Sequence, residues 1–298
     1  MRREDDMLGE IRGEVRFKEP LSFHTSLRIG GSSDIFVVPQ DVDDIRHALL
    51  FAEREQLPVV VIGGGNNLLV RDRGVRGVVL KLEGCLGRSE FNGEEAVAGA
   101  GASLSALIRE GAALNLGGLE CLVGIPATIG GALAMNAGTP DGCIGDFVSA
   151  AYFLYPDGTL GEFKPNAGAF TYRAFHFPAG TVLIGCRLRL HRRPLSEIQK
   201  DIKQRLKQKK SSQPLALASA GCVWKNPSGE TAARMIEKVG LKGKRFNGAE
   251  ISAKHANFIV NRGGATAADV QALMELTRER VQAHYGIVLE NEIRIIGE

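Results

Sequence analysis

Apolar residues follow Asp41 at helical spacing and then give way to a continuous apolar run. Val42, Ile45 and Leu49 fall on one face of a helical repeat, which predicts a helix with Asp41 as its N-cap. The run 59–62 is short and entirely apolar, as in a strand that is buried on both faces. The pattern therefore predicts a helix that leads into a buried strand.

Three glycines and two asparagines come directly after this strand, at 63–67, and Leu68 follows them. A Rossmann unit would continue with a helix, but further strand-like sequence comes next at 78–82, and Leu68 stands where the third glycine belongs. Successive glycines let the backbone take positive φ and let its N–H groups converge on an anion. The run is a candidate phosphate cradle outside a Rossmann fold, and a glycine-rich hairpin is the alternative.

Short strands then alternate with a few helices, which predicts an α+β architecture. Helices are expected at 103–114 and 126–135, and the strand-like run 182–188 precedes a boundary at 192–194. The elements predicted beyond it are a polar helix that Ser196 and Gln199 cap and that ends near Lys210, a helix at 231–239 before Gly240, a strand at 257–260, a long helix that Thr266 and Asp269 cap, and a last strand after Gly286.

The composition is that of an ordinary globular protein. Hydrophobic residues make up 44% and charged residues 24% of the 298 positions, which leaves room for two or three packed units. No run of about 18 apolar residues occurs. Residues 1–6 include acidic side chains, whereas a signal peptide would have basic residues followed by an apolar run. We expect no membrane association and a cytoplasmic location.

Cysteine usage and net charge argue against disulfide-rich, metal-binding and nucleic-acid-binding classes of protein. The five cysteines are odd in number and lack any C-x-x-C or Cys/His spacing, so we expect reduced thiols and no metal site. A formal charge of +3 is too small to imply a nucleic-acid partner. The local basic run 192–210 is expected to be a solvated helix face.

A second glycine cluster lies at 124–138. Pro126 can open a helix there, and the small residues around it permit close approach of a flat or extended ligand. Two such loops suit a dinucleotide with two phosphates.

The stretch 219–227 places a thiol, an amine and an amide side by side, at Cys222, Lys225 and Asn226. These groups suit a site, but a strand that enters a turn, with Cys222 as a small buried hydrophobe, is the alternative. Glu290, Glu292 and Arg294 would fall on one face of an alternating strand, where they could form a solvated ladder. Likewise, Tyr172 and Arg173 could be two exposed residues on the surface rather than parts of a site.

Five segments together resemble the UDP-N-acetylenolpyruvoylglucosamine reductase family: 20–31, 63–68, 124–138, 219–227 and 289–294. The resemblance runs from about residue 18 to the C-terminus. It implies an α+β protein with a vanillyl-alcohol-oxidase-type FAD-binding domain of two α+β subdomains, followed by a C-terminal α+β substrate domain. The implied boundaries are 18–192 for the FAD-binding domain, with subdomains at about 18–82 and 83–192, then a connecting helix at 193–210 and the substrate domain at 211–298.

The resemblance also implies an activity. The family reduces UDP-N-acetylglucosamine enolpyruvate to UDP-N-acetylmuramate for peptidoglycan synthesis, with FAD as cofactor and NADPH as hydride donor. Non-covalent FAD is expected, because no histidine stands near the first glycine loop, where some oxidases of this flavin fold attach the cofactor. A monomer is expected. The alternatives are a sugar or lactone oxidase of the same fold and a non-catalytic nucleotide- or RNA-binding module, although few aromatic residues accompany the basic run.

Particular residues match the family's functional positions. The catalytic positions are Arg173, Cys222 and Glu292. The cofactor positions are Gly63, Gly64, Gly65, Asn66, Asn67, Leu68, Gly124, Pro126, Thr128, Gly130, Gly131, Asn136, Ala137, Gly138 and Ile184. The substrate positions are Tyr172, Lys210, Asn226 and His255, and a packed histidine before the strand 257–260 is the alternative for the last of these.

The chain departs from the family pattern in two places. Cys222 stands where the family most often has serine, and a thiol with an ordinary pKa of about 8.5 is mostly protonated at neutral pH and can donate a proton. The segment 174–181 is short, as in the family branch that lacks a longer loop whose tyrosine closes over the substrate.

Overall fold

The computed structural model describes residues 8–84 and 86–298, so the acidic start at 1–6 and Cys85 lie outside the described residues. The chain forms two compact units. The first unit comprises the N-terminal segment up to Phe17 with Ile35–Gly64 and Gly77–Gln208, and the second comprises Lys18–Asp34, Gly65–Arg76 and Lys209–Glu298. Both units gather separate stretches of sequence, unlike the contiguous segments predicted above, and those domain boundaries stay a prediction.

The described residues form six α-helices and 21 strands. The helices are α1 (Val42–Arg54), α2 (Leu104–Ala113), α3 (Ile129–Ala134), α4 (Leu195–Ser212), α5 (Ala232–Lys238) and α6 (Ala267–Tyr285). The strands of the first half are β1 (Glu14–Pro20), β2 (Ser32–Val38), β3 (Val59–Ile62), β4 (Leu68–Val70), β5 (Val75–Lys81), β6 (Ser89–Asn92), β7 (Glu95–Gly99), β8 (Leu116–Gly117), β9 (Gly138–Thr139), β10 (Gly142–Cys143) and β11 (Val148–Leu154). Those of the second half are β12 (Leu160–Phe163), β13 (Phe170–Thr171), β14 (Ala174–Phe175), β15 (Val182–Arg189), β16 (His191–Arg192), β17 (Ala218–Cys222), β18 (Arg245–Phe246), β19 (Ala249–Ile251), β20 (Phe258–Asn261) and β21 (Arg294–Ile296).

The strand predicted at 59–62 forms as β3, at the edge of the sheet β1-β2-β5-β3, where it runs parallel to β5. The prediction that it is buried on both faces is wrong, because an edge strand lacks a neighbour on one side: Val61 is 41% exposed and only Ile62 is buried. The predicted N-cap of α1 is confirmed, because the Asp41 carboxylate accepts hydrogen bonds from Asp43 N and Asp44 N. The apolar face of α1, with Ile45 and Phe51, packs into the core that Val78 and Leu80 of β5 also enter. Burial of this face holds the helix on the sheet.

A five-stranded antiparallel sheet, β12-β11-β15-β7-β6, forms the larger part of the first unit. Its core includes Leu104 and Leu107 of α2 and Ile129 and Leu133 of α3. Helix α2 has the predicted bounds with Ser103 as its cap, whereas α3 begins only at Ile129, not at Pro126. Thr128 determines this start, since its side chain accepts a hydrogen bond from Gly131 N.

Helix α4 begins at Leu195, so the predicted cap at Ser196 is wrong. The Asn115 side chain caps the start of α4 instead, because its Oδ1 accepts a hydrogen bond of 3.1 Å from Leu195 N. Asn115 is 80 positions away in sequence, and a local pattern could not have identified it.

The second unit is built on the antiparallel sheet β17-β20-β19-β18, against which α5 and α6 bury Met235, Ile236, Val270 and Leu273. The predicted capping box of α6 is confirmed, with reciprocal hydrogen bonds between Thr266 and Asp269. The last strand, β21, pairs in parallel with β4. It begins at Arg294, so Glu290 and Glu292 precede it, and the predicted ladder along an alternating strand is wrong.

Candidate functional site

The two predicted cofactor loops touch each other within the first unit. A Cβ added at Gly63 would lie 2.2 Å from Thr128 Oγ1, a separation that real Cβ atoms do not adopt. Glycine is therefore required at position 63 for the end of β3 to approach the cap of α3. Gly64 is half-buried beside it, and Gly124 and Pro126 are exposed ahead of α3.

The first turn of α3 donates its hydrogen bonds to the chain itself. Ile129 N donates to Ala102 O and Gly130 N to Ala100 O, each at 2.8 Å. Ala100 N in turn donates to Ile184 O at 2.9 Å, so Ile184 and Gly130 share one neighbour. A Cβ at Gly130 would also lie 3.0 Å from the Cβ of Ala100.

These contacts leave the predicted close approach of a flat ligand possible. Gly130 and Ala100, next to Ile184, carry no side chain larger than a methyl group. The N–H groups of Ile129, Gly130 and Gly131 have partners within the protein, so they hold the start of α3 in place.

Arg173 lies in the turn between β13 and β14. It has φ +59°, which is rare for a side chain of its size. One guanidinium N–H donates to Gly138 O at 2.9 Å, and the guanidinium carbon lies 5.4 Å from the centre of the Tyr172 ring. Tyr172 itself is exposed. The turn thus holds a half-buried cationic group of the first unit in a defined position.

The side chain of Asn136 hydrogen-bonds to this turn. Its side chain is buried and donates to Thr171 O at 2.9 Å, while its Oδ1 accepts from Gly145 N at 3.0 Å. Ala137, the next residue, pairs through its backbone with Ala132 and Ile144. Two predicted cofactor residues, Asn136 and Gly138, therefore contact the turn that carries the predicted catalytic arginine.

In the second unit, Gly65 packs against the early segment 20–31. It has φ +63°, and a Cβ there would lie 1.9 Å from His24 O. Ser26 N donates to Gly65 O at 3.1 Å. Asn66 and Asn67 follow in the same turn, and Leu68 pairs with Arg294 where β4 meets β21. Two of the segments that carried the family resemblance thus contact each other.

Cys222 ends β17 at an irregularity in the sheet. The register between β17 and β20 shifts between Ser219 and Cys222, and Gly221 has φ +79°. Cys222 lies opposite Phe258 and is half-buried. The bulge re-aims the end of the strand, as bulges often do beside functional sites.

Backbone pairing joins Glu292 to the residue that follows Cys222. Glu292 N donates to Val223 O at 2.7 Å. The Asn67 side chain donates to Glu292 O at 3.0 Å. One predicted cofactor residue and one predicted catalytic residue are thus in direct contact, and the second predicted catalytic residue, Cys222, is the chain neighbour of Val223.

The predicted substrate residues of the second unit have separate settings. The Asn226 Oδ1 accepts from Ala232 N at 3.0 Å at the start of α5. Lys210 is exposed, and its carbonyl accepts from Lys254 Nζ at 2.6 Å. His255 Nδ1 accepts from Asn257 N at 3.3 Å. Burial lowers the pKa of His255, and Lys242 lowers it further, so the imidazole is neutral at neutral pH.

Two of the other cysteines lie in the core of the first unit. Burial raises the pKa of Cys121 to about 11 and that of Cys186 to about 12, so both remain thiols in the core. The four described cysteines, Cys121, Cys143, Cys186 and Cys222, are free. Within residues 8–84 and 86–298, no group of three or more His, Cys, Asp or Glu side chains could hold a metal ion.

Sequence reasoning missed Asn257, whose side chain binds the backbone just after Cys222. The available signal was a polar residue at the start of the apolar run Phe258–Val260. It also missed Ala100, which links Gly130 with Ile184 through its backbone; nothing in the sequence marks that alanine.

The fold and the paired glycine loops define the class first, an FAD-binding oxidoreductase. Residues 33–164 match the family model described as "FAD binding domain". The mixture of helices with largely antiparallel sheets confirms the α+β class, with the predicted vanillyl-alcohol-oxidase-type flavin fold.

The remainder of the chain identifies the family. Residues 213–296 match "UDP-N-acetylenolpyruvoylglucosamine reductase, C-terminal domain". The reductases of that name from Geobacter metallireducens and Moorella thermoacetica are 42% and 43% identical, and each match covers 97% of this chain and 96% or 95% of the relative. The crystal structure of the Thermus caldophilus reductase superposes with a TM-score of 0.83 at 36% identity, covering 96% of this chain and 100% of that one. The chain belongs to the UDP-N-acetylenolpyruvoylglucosamine reductase family, as its motifs predicted.

Family membership decides against the two alternatives that the sequence left open, the oxidase and the non-catalytic binding module. The chain is an FAD-dependent oxidoreductase, and NADPH is its hydride donor.

Proposed function

We propose that Arg173, Cys222 and Glu292 carry the chemistry of this chain. Its reaction is the NADPH-dependent reduction of UDP-N-acetylglucosamine enolpyruvate to UDP-N-acetylmuramate in peptidoglycan synthesis. The observation that supports the assignment best is the hydrogen bond of 2.7 Å from Glu292 N to Val223 O, which joins the backbone of Glu292 to the residue that follows Cys222. Bound FAD would supply the hydride of NADPH to the terminal vinyl carbon of the substrate.

Arg173 binds the carboxylate of the enolpyruvyl group in this proposal. Hydride addition places negative charge on the neighbouring carbon and on that carboxylate. A guanidinium can hold a carboxylate through two parallel hydrogen bonds and stabilises the enolate as it forms. The contact with Gly138 O and the buried anchor at Asn136 fix the arginine before substrate arrives.

Cys222 donates the proton that completes the reduction. The carbon that bears the carboxylate receives this proton, so one hydride and one proton together saturate the double bond. A thiol is a stronger acid than the serine hydroxyl found in most of the family. Glu292, in its protonated form, donates a hydrogen bond to the enolate oxygen while the charge is present.

The remaining predicted residues bind the two ligands. Lys210 faces the diphosphate of the substrate, and Tyr172, Asn226 and His255 contact the rest of it. The proposed FAD contacts are Gly63, Gly64, Gly65, Asn66, Asn67, Leu68, Gly124, Pro126, Thr128, Gly130, Gly131, Asn136, Ala137, Gly138 and Ile184. The contact between Gly63 and Thr128 supports a shared role for the two loops.

We also propose a cytoplasmic monomer without a nucleic-acid partner. The free cysteines support a reducing compartment, and the formal charge of +3 is small. In the described part of the chain, no helix has the length and apolar character needed to cross a bilayer.

The first test is spectroscopic. The purified protein should be yellow, acid precipitation should release all of its flavin, and NADPH should bleach it without oxygen. The substrate should then restore the colour. Flavin that stays with the precipitate would contradict non-covalent binding, and a reduced enzyme that substrate does not reoxidise would contradict the reaction.

The second test assigns the residues by stopped-flow measurement of the two half-reactions. Arg173→Ala and Glu292→Gln should slow reoxidation by substrate about 100-fold or more, since each removes one preorganised group. Reduction by NADPH should change little. Arg189→Ala, which alters an exposed arginine of β15, is the matched control. Equal losses in both half-reactions would argue for a damaged flavin site instead.

The third test concerns the proton donor. Cys222→Ser should retain measurable reoxidation, whereas Cys222→Ala should not. The parent should lose activity as the thiol ionises at alkaline pH, and Cys222→Ser should lack that decline. If Cys222→Ala reoxidises as fast as the parent, the proton comes from another source.

A further inference from the structure

The side chain of Asn257 is directed entirely at the backbone that follows Cys222. It is 3% exposed. Its Oδ1 accepts from Trp224 N at 2.8 Å, and its Nδ2 donates to Trp224 O at 2.8 Å. Its own carbonyl accepts from Val223 N at 2.8 Å. One residue therefore binds both residues that come after the proposed acid.

The other side of the same segment carries Glu292. Val223 O accepts from Glu292 N, and Lys225 N donates to Glu290 O at 2.9 Å. Trp224 also forms a β-bridge with Asn291. The short segment 223–225 is thus held on one side by Asn257 and on the other by the residues around Glu292.

The irregularity in the sheet explains why a side chain is needed there. The register between β17 and β20 shifts before Cys222, and β17 ends at that residue. Beyond it, the Asn257 amide offers Trp224 one donor and one acceptor, as a peptide group of a neighbouring strand would. The backbone N–H of Asn257 donates to His255 Nδ1 instead. The amide therefore continues the pairing where the strands no longer supply it.

We propose that Asn257 is a positioning residue that sets the Cys222 thiol and the Glu292 carboxyl relative to each other through Val223 and Trp224. The inference rests on the proposed function, because it takes Cys222 as the proton donor. Asn257 need not touch the substrate. Its substitution should act on the rate of proton delivery, since an error of about 1 Å in the placement of a catalytic group can slow a reaction about 100-fold.

The expected effect is confined to one half-reaction. With flavin-loaded Asn257→Ala, reoxidation by the enolpyruvyl substrate should be about 10- to 100-fold slower than in the parent. Bleaching by NADPH should stay within about twofold, and the substrate concentration that gives half-maximal rate should change less than the maximal rate. Equal slowing of both half-reactions would assign Asn257 a purely structural role and overturn the proposal.

Asn261→Ala is the matched control. It removes an asparagine of the neighbouring strand β20 in the same unit. Its amide also binds backbone, at Leu27 O with 3.1 Å and at Gly263 N with 2.8 Å. Both half-reactions should match the parent once the protein is flavin-loaded. Selective slowing in this control as large as that of Asn257→Ala would overturn the proposal.

A double-substitution cycle separates this inference from the proposed function. If Asn257 acts through Cys222, Asn257→Ala should slow reoxidation in the parent and add little in a Cys222→Ala background. A full additional loss in that background overturns the inference and leaves Cys222 as the proton donor. A Cys222→Ala enzyme that reoxidises like the parent overturns the proton-donor assignment, and the inference falls with it.

Asn257→Asp keeps the test decisive if the alanine variant does not fold. Aspartate has nearly the same shape and retains an acceptor for Trp224 N–H, but its ionised form lacks the donor to Trp224 O. Selective slowing of at least tenfold supports the proposal. A parent-like rate of reoxidation by substrate overturns it.

Discussion

Replacement of Asn136 by alanine tests how the chain holds Arg173. The Asn136 side chain is 5% exposed and joins Thr171 O to Gly145 N through two hydrogen bonds. Asn136→Ala leaves both backbone groups without these partners, and an unsatisfied buried group costs about 1–3 kcal/mol. Asn136 also has φ +39°, a region that alanine occupies less readily than asparagine. We expect a loss of about 2–4 kcal/mol in the free energy of unfolding.

The assay has two readouts. Thermal unfolding in excess FAD should show a midpoint lowered by roughly 3–6 °C, and the excess keeps loss of cofactor from producing the shift. Reoxidation by substrate should slow more than reduction by NADPH, because the turn that carries Arg173 loses its anchor. Asn136→Asp retains the acceptor for Gly145 N and should isolate the bond to Thr171.

Asn166→Ala provides the reference, since Asn166 is exposed in the same unit and such changes alter stability by about 0.5 kcal/mol or less. If Asn136→Ala unfolds with the midpoint of Asn166→Ala, the side chain does not anchor the turn. If it is destabilised but both half-reactions are unchanged, Arg173 is held by other contacts.

Three further predictions follow from single contacts. Gly63→Ala would place a Cβ 2.2 Å from Thr128 Oγ1, so the purified variant should carry much less flavin absorbance than the parent; full occupancy would refute the close approach. The pKa of Glu250 is lowered, and the largest cause is its hydrogen bond with Arg262. Glu250 therefore stabilises the fold above its ordinary pKa of about 4.3, and this stability is lost as the pH falls through the lower folded-state pKa. Urea midpoints of Glu250→Gln should lack this acid-dependent loss, and an unchanged slope would contradict it. Burial lowers the pKa of His255 below 6.5. The contribution of the neutral imidazole to stability is therefore present above about pH 6.5 and is lost as the pH falls towards the lower folded-state pKa. His255→Gln should flatten the dependence of the urea midpoint on pH between these two values.

The candidate site was predictable wherever the signal lay in a short motif. The two glycine loops, the thiol of Cys222 and the family could all be read from consecutive residues, and the contact of Gly63 with Thr128 brings the loops together. The supporting side chains could not be read in this way. Asn136 reaches Thr171 across 35 positions, and Asn257 reaches Trp224 across 33, so nothing adjacent to either asparagine reveals its partner.

The sequence by itself determined the local elements. The caps at Asp41 and Thr266 and the helix end before Gly240 are set by hydrogen bonds and backbone preferences within a few residues, which is why periodicity and capping rules located them. Only the tertiary structure decided that 18–34 and 65–76 belong with the C-terminal residues. The same holds for the start of α4 at Leu195 under Asn115 and for the place of Glu292 beside Val223. These outcomes depend on which distant backbone groups meet when the apolar faces are buried, and that choice is made by the packing of the whole chain.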